Sequence, residues 1–198
     1  GDVQWMTAGQ GVQHSEMFPL LSQEKENPME LFQIWLNLPR KSKMVPANFT
    51  MLWGESIPRK SFIDAKGNKT EIEIIAGPIE NEKLPSPPPD SWASDPANNV
   101  AVWNIQMEAN AEWVMPKTSA DTNRTLYFYE GKGLSINGIA IADYHAAEVN
   151  PDQNLTLRSG PSGAKILTLQ GKPINEPVVQ HGPFVMNTRE EISQAFGI

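Results

Sequence analysis

Short segments in which apolar and polar residues alternate recur along the chain, and they predict β-strands. In residues 125–129, Leu126 and Phe128 share one face and the two tyrosines share the other, because successive side chains of a strand point to opposite sides. Asn137 and Gly138 separate two further apolar runs. This dipeptide predicts a type I′ hairpin turn, in which both residues have positive φ.

The segment before residue 40 gives two conflicting signals. Asn27-Pro28 is typical of a helix start, with a capping residue followed by proline in the first turn. Apolar side chains nevertheless occupy every second position from Phe32 to Leu38. Because this run is short and ends at Pro39, we predict a strand over residues 32–38.

One helix is predicted, at the end of the chain. Thr188 is followed three residues later by Glu191, which is the spacing of a capping box. Ile192, Ala195 and Phe196 then follow at helical spacing. Elsewhere, 17 prolines and 14 glycines divide the chain into short runs. The pattern as a whole predicts an all-β fold of the sandwich or barrel type with a short C-terminal helix.

A proline-rich stretch at residues 84–90 predicts the domain organisation. Consecutive prolines favour an extended backbone and cannot occupy a central strand. We therefore interpret residues 81–99 as a linker between a first domain, residues 1–80, and a second domain, residues 100–198. An alternative interpretation is a proline-rich ligand for an SH3-type domain.

Composition and charge exclude several classes of function. The 198 residues include no cysteine, which excludes disulfides and thiolate metal ligands. The net charge of −7 argues against direct binding to nucleic acid, and we expect the basic run Arg40-Lys41-Ser42-Lys43 to be a solvated loop. No apolar stretch is long enough for a transmembrane helix, and we expect a cytoplasmic protein.

The first sixteen residues contain the candidate chemistry. Gly9 and Gly11 bracket a predicted turn, and His14 and Glu16 lie two positions apart. On a strand these two side chains would share a face, about 6–7 Å apart. Imidazole and carboxylate together suit iron and other divalent first-row metals. The same spacing also occurs around ordinary exposed or hydrogen-bonded histidines.

Two long segments of the chain resemble the pirin family. They are GDVQWMTAGQGVQHSE at residues 1–16 and GKPINEPVVQHGPFVMNT at residues 171–188, called the first and second signature segments below. Residues 34–39 and 75–77 resemble family strand segments in the right order. The resemblance implies a bicupin, which has two tandem antiparallel β-barrels, with a metal site in the first barrel and none in the second.

In the family that the chain resembles, three histidines and one glutamate hold the metal. His14 and Glu16 match the third histidine and the glutamate, so the resemblance implies both as ligands. The other two ligands come from an upstream H-P-H-R-G-like motif, which these 198 residues lack. His145 and His181 lie outside any such motif, and we expect them to be structural or surface residues. We therefore expect an incomplete first barrel, completed by additional sequence, by a second copy or by another fragment.

The resemblance implies two different functions. The first is quercetin 2,3-dioxygenase activity at a mononuclear iron or similar metal. A flavonol would bind the metal through two oxygen atoms, Glu16 would act catalytically as the proton acceptor, and dioxygen would open the ring with release of carbon monoxide. The second is a non-enzymatic, iron-dependent, redox-sensing transcription cofactor that binds a protein partner. With half of the ligands, we expect the 198-residue chain itself to be inactive.

Overall fold

The protein is composed mainly of short antiparallel strands. A computed structural model describes residues 1–197, which form fourteen strands, four 3-10 turns and one α-helix. The strands are β1 (Val3–Thr7), β2 (Asn48–Leu52), β3 (Arg59–Ile63), β4 (Lys69–Ala76), β5 (Ala101–Met107), β6 (Glu112–Met115), β7 (Asn123–Gly131), β8 (Ser135–Ile136), β9 (Ile139–Ala140), β10 (Ala146–Glu148), β11 (Leu155–Arg158), β12 (Ala164–Gly171), β13 (Val179–His181) and β14 (Phe184–Met186). The helix α1 spans Arg189–Ala195.

Two of the sheets enclose one apolar core. The larger sheet has the strand order β10-β7-β12-β5-β4-β3, and the smaller has the order β6-β11-β8-β9. Ile72, Ile105 and Ile166 of the larger sheet are fully buried, as is Leu157 of the smaller sheet. Burying each such side chain contributes about 1.5–3 kcal/mol. The all-β class, the antiparallel pairing and the C-terminal helix are confirmed, and the two sheets pack face to face.

The alternating pattern correctly separated the two faces of β7. Leu126 and Phe128 of β7 are 1% and 2% exposed, whereas Tyr127 on the opposite face is 41% exposed. The predicted hairpin turn joins β8 and β9, with φ angles of 50° at Asn137 and 80° at Gly138. Both positive values match the type I′ turn that the dipeptide predicts.

Strand pairing crosses the proline-rich segment. β3 pairs with β4, and β4 pairs with β5, so residues 59–76 belong to the same sheet as strands from residue 101 onward. Within residues 81–99 the structure has two 3-10 turns, at Trp92–Ser94 and Pro96–Asn98. The division into domains at this segment stays a prediction, but it is not a division between sheets.

The strand predicted over residues 32–38 is wrong. The chain has no helix or strand between Thr7 and Arg40, and β1 pairs with β2 in a separate two-stranded sheet. A strand requires a partner backbone, and residues 32–38 pair with no other strand of the described chain. Phe32 instead packs its ring edge-on against Tyr129, with the ring centroids 4.9 Å apart.

The C-terminal helix begins as its sequence predicts. The Thr188 hydroxyl accepts a hydrogen bond from the Glu191 amide at 3.2 Å, and the Glu191 carboxylate accepts from the Thr188 amide at 3.0 Å. This reciprocal pair is the capping box. No helix within residues 1–197 combines the length and the apolar character that crossing a membrane would need.

Candidate metal-binding segment

The first signature segment is fixed at its start by β1 and by a close backbone contact. Thr7 ends β1 and is 1% exposed, and its hydroxyl donates to the carbonyl oxygen of Pro89 at 2.7 Å. Gly9 has a φ of +53°, and a Cβ there would lie 2.0 Å from the Val45 carbonyl oxygen. Only glycine fits such an approach. The Gln10 amide donates to the same carbonyl at 3.0 Å.

His14 and Glu16 lie beyond this turn and face each other. The His14 Nδ1 atom is 3.7 Å from the Glu16 Oε1 atom, and each side chain is 35% exposed. A separation of this size allows one ion to contact both groups, and their exposure leaves room for further ligands. The geometry therefore provides an imidazole and a carboxylate donor on one side of the segment.

The reason for this proximity differs from the one predicted. We expected both residues on a barrel strand, and this expectation is wrong, because residues 8–39 contain no regular secondary structure. The local path of an irregular chain brings the two side chains together. Their roles as metal ligands, and that of Glu16 in catalysis, stay predictions.

The pair supplies part of a metal site. Among residues 1–197, no group of three or more His, Cys, Asp or Glu side chains is arranged to hold an ion. The donor chemistry of His14 and Glu16 suits a divalent first-row metal, but two ligands form an incomplete cage. The residues present therefore fit such a metal as two of its ligands.

The other two histidines have local partners. The Nδ1 atom of His145 lies 2.9 Å from the carbonyl oxygen of Asp143, just before β10. His181 ends β13, and its ring packs against that of Phe196 at 5.7 Å between centroids. Both histidines are exposed.

The second signature segment contacts residues 37–43. The Glu176 carboxylate accepts a hydrogen bond from the Arg40 amide at 2.6 Å. The Lys43 ammonium donates to the Asn37 side chain at 2.7 Å and to the Val185 carbonyl at 3.1 Å. The bonds to Glu176 and Val185 join two segments that are more than 130 residues apart in sequence.

Lys43 was not predicted to be buried. We expected the basic run at residues 40–43 to be solvated, which is wrong for Lys43, because only 5% of this residue is exposed. Burial lowers the pKa of the Lys43 ammonium, against the opposing effect of the Glu176 and Glu191 carboxylates. Sequence reasoning missed the burial of Lys43 because the Val185 carbonyl and the two carboxylates near it lie close to the other end of the chain.

A cleft lined by aromatic side chains was also missed. It lies between residues 32–35 and the outer face of the sheet at β7 and β12. The tyrosines that alternate with buried residues in β7 were the signal in the sequence. The sequence gives no indication that Phe32 and Trp35 lie opposite them.

Known structures and proteins resemble the chain over nearly its whole length. The crystal structure of quercetin 2,3-dioxygenase from Acinetobacter baumannii aligns with a TM-score of 0.75 at 26% identity, covering 100% of this chain and 64% of that one. A Pseudomonas aeruginosa protein provisionally named quercetin 2,3-dioxygenase is 36% identical, covering 98% of this chain and 65% of the relative. Pirin-1 of Arabidopsis thaliana is 33% identical, with coverage of 99% and 63%.

These similarities and the two packed sheets identify a β-protein of the cupin class. Two family models match, one described as Pirin at residues 1–36 and one as the Pirin C-terminal cupin domain at residues 102–197. The chain belongs to the pirin family. The chain spans just under two thirds of the length of each of the three proteins named above.

Proposed function

We propose that the chain provides two ligands of a mononuclear metal site for oxidative ring cleavage of a flavonol. The observation that carries the proposal is the 3.7 Å approach of His14 Nδ1 and Glu16 Oε1. It falls inside the segment that the Pirin family model matches. The provisional naming of similar proteins as quercetin 2,3-dioxygenases supports flavonols as the substrate class.

Each of the two residues has a separate task in this proposal. His14 holds the metal through a ring nitrogen, and Glu16 ligates it and accepts the proton of the flavonol 3-hydroxyl group. Iron or another divalent first-row metal, when bound, supplies open coordination positions for substrate oxygen atoms. Two further ligands complete the site, and the family resemblance assigns them to histidines of an H-P-H-R-G-like motif. In the net reaction both atoms of dioxygen enter the product and one ring carbon leaves as carbon monoxide.

The test uses the longest natural polypeptide that includes these 198 residues, loaded with iron. We expect oxygen-dependent loss of the flavonol absorption band together with release of carbon monoxide. Glu16→Gln removes the proton acceptor and should lower turnover at least 100-fold, because general-base catalysis contributes about 10²–10⁴-fold. Glu24→Gln, which changes an exposed carboxylate of the same irregular segment, should leave turnover within twofold. Iron-loaded protein that does not consume the flavonol would contradict the proposal.

A second candidate function is iron-dependent binding to a protein partner. The observation that favours it is a run of exposed apolar side chains after the metal-binding pair. Met17, Leu20 and Leu21 are 87%, 75% and 95% exposed. Exposed apolar clusters of this kind mark interaction sites, and the net charge of −7 favours a basic partner over nucleic acid.

This alternative is tested by affinity capture with ferrous and ferric forms of the same polypeptide. A partner retained by one oxidation state, and lost from the double variant Leu20→Glu, Leu21→Glu, would support the binding function. Capture that is identical in both oxidation states would contradict it.

A further inference from the structure

An open cleft with aromatic walls lies on the outer face of the six-stranded sheet. Its volume is about 590 Å³, which falls within the range of about 300–1,000 Å³ typical of small-molecule sites. Seven of the residues that line it have rings: Phe32, Trp35, Tyr127, Phe128, Tyr129, Tyr144 and His145. Of these, Phe128 is 2% exposed and belongs to the apolar core. Neither His14 nor Glu16 is among the lining residues.

The base of this aromatic cleft is rigid. Leu167 and Leu169 of β12 lie in its wall, next to the strand that provides Tyr127 and Tyr129. The Tyr129 hydroxyl donates to the Asn104 side chain at 2.8 Å. Burial raises the pKa of Tyr129 well above its usual value, so the hydroxyl stays protonated and keeps this bond. The ring orientation is therefore fixed before any ligand arrives.

The rim of the cleft contains a strained residue. Tyr144 is 80% exposed and has a φ of 60°, in the left-handed region that a tyrosine rarely adopts. Such a conformation costs on the order of 1–3 kcal/mol. The next residue is fixed, because the His145 carbonyl accepts a bond from the Phe128 amide at 3.0 Å. A large ring held in a strained conformation with so little packing of its own is suited to stacking on a ligand.

The surrounding charges favour an uncharged ligand. Glu30 and Glu130 act on Tyr129 electrostatically and disfavour an anion in the cleft. Lys165 lies between these carboxylates, 3.7 Å from Glu30 and 2.8 Å from Glu130, and offsets their attraction for a cation. Aromatic walls prefer flat rings, which stack or pack edge-on against them.

We infer that the aromatic cleft binds a planar, uncharged aromatic molecule that carries at least one hydroxyl group. The ligand rings pack against Tyr127 and Tyr144. Because the His145 Nδ1 atom already faces the Asp143 carbonyl at 2.9 Å, its Nε2 atom is the one that hydrogen-bonds the ligand hydroxyl. This site does not use the metal-binding pair, so it stands or falls independently of the proposed dioxygenase function.

The three histidines allow a direct test by NMR. The probe is 2-naphthol, a flat ring system with one hydroxyl, titrated into the metal-free 198-residue chain. The Hε1 signals are assigned with single His→Gln variants. We expect a saturable shift of the His145 signal, with the His14 and His181 signals unchanged. Tyr144→Ala should weaken binding at least fivefold, and Phe32→Ala should do the same.

Two controls determine whether the effect belongs to the cleft. Phe49→Ala removes an aromatic ring on β2, outside the cleft. This ring is 53% exposed, between Phe32 at 39% and Tyr144 at 80%, and its loss should leave the affinity for 2-naphthol unchanged. Decahydro-2-naphthol has a similar size and hydroxyl but no aromatic ring, and it should bind at least fivefold more weakly. The inference is overturned if 2-naphthol gives no saturable shift at His145, if the saturated alcohol binds equally well, or if dilution without probe shifts His145 because a second copy covers the cleft.

Discussion

At the scale of single residues, the direction in which a strand residue points determines what its substitution costs. Leu157 in β11 is fully buried, whereas Val114 in the neighbouring strand β6 is 50% exposed. Leu157→Ala should lower the free energy of unfolding by about 3–5 kcal/mol, because transfer and cavity costs add. Val114→Ala should change it by less than about 1 kcal/mol. Urea unfolding of the 198-residue chain measures both, and equal losses would contradict the assigned core.

The alternation of apolar and polar residues predicts the burial of some side chains and not of others. Leu126 and Phe128 were correctly placed on one face of a strand, and both are buried, because successive strand residues point to opposite sides. The burial of Lys43 was not predictable in this way. Its acceptor, the Val185 carbonyl, lies 142 residues away along the chain. A pattern of neighbouring residues cannot reveal a contact over that separation.

At the scale of elements, one carboxylate joins the two sheets. Asp64 follows β3, and its side chain accepts bonds from the Lys66 and Asn68 amides and, at 3.0 Å, from the amide of Glu112 in β6. Partial burial raises the pKa of Asp64, but these backbone bonds outweigh that effect and lower it to about 2. The ionised form therefore stabilises the fold.

This arrangement predicts how stability depends on pH. Because the folded-state pKa of Asp64 lies below its usual value of 3.8, the contribution is complete above about pH 4 and disappears as the pH falls toward 2. Asp64→Asn should lower the melting temperature at pH 7, and the gap from the unchanged chain should narrow steadily between pH 4 and pH 2. A gap that stays constant over this interval would show that the carboxylate charge contributes nothing.

Elements also differ in how much of their structure the sequence encodes locally. The hairpin at Asn137-Gly138 and the capping box at Thr188 were predicted correctly, because each depends on a few adjacent residues. The strand expected over residues 32–38 was wrong, because strand formation depends on a partner backbone that the alternation itself does not specify.

At the scale of the whole molecule, sequence predicted the fold class and the family, and the structure corrected the details. The two signature segments fall within the regions that the two family models match. The pairing of β4 with β5 was missed, since a proline-rich connection says nothing about which strands meet on either side of it. The aromatic cleft was missed for the same reason, because its two walls come from distant parts of the chain.

The central claim is that His14 and Glu16 bind one metal ion together. It is tested most directly by titrating paramagnetic Co²⁺ into the 198-residue chain and following the Hε1 signals of its three histidines. We predict selective broadening of the His14 signal at low Co²⁺, weakened in Glu16→Gln and unchanged in Glu24→Gln, with His145 and His181 unaffected. Broadening of all three signals in parallel, or a His14 signal that does not respond, would contradict the claim.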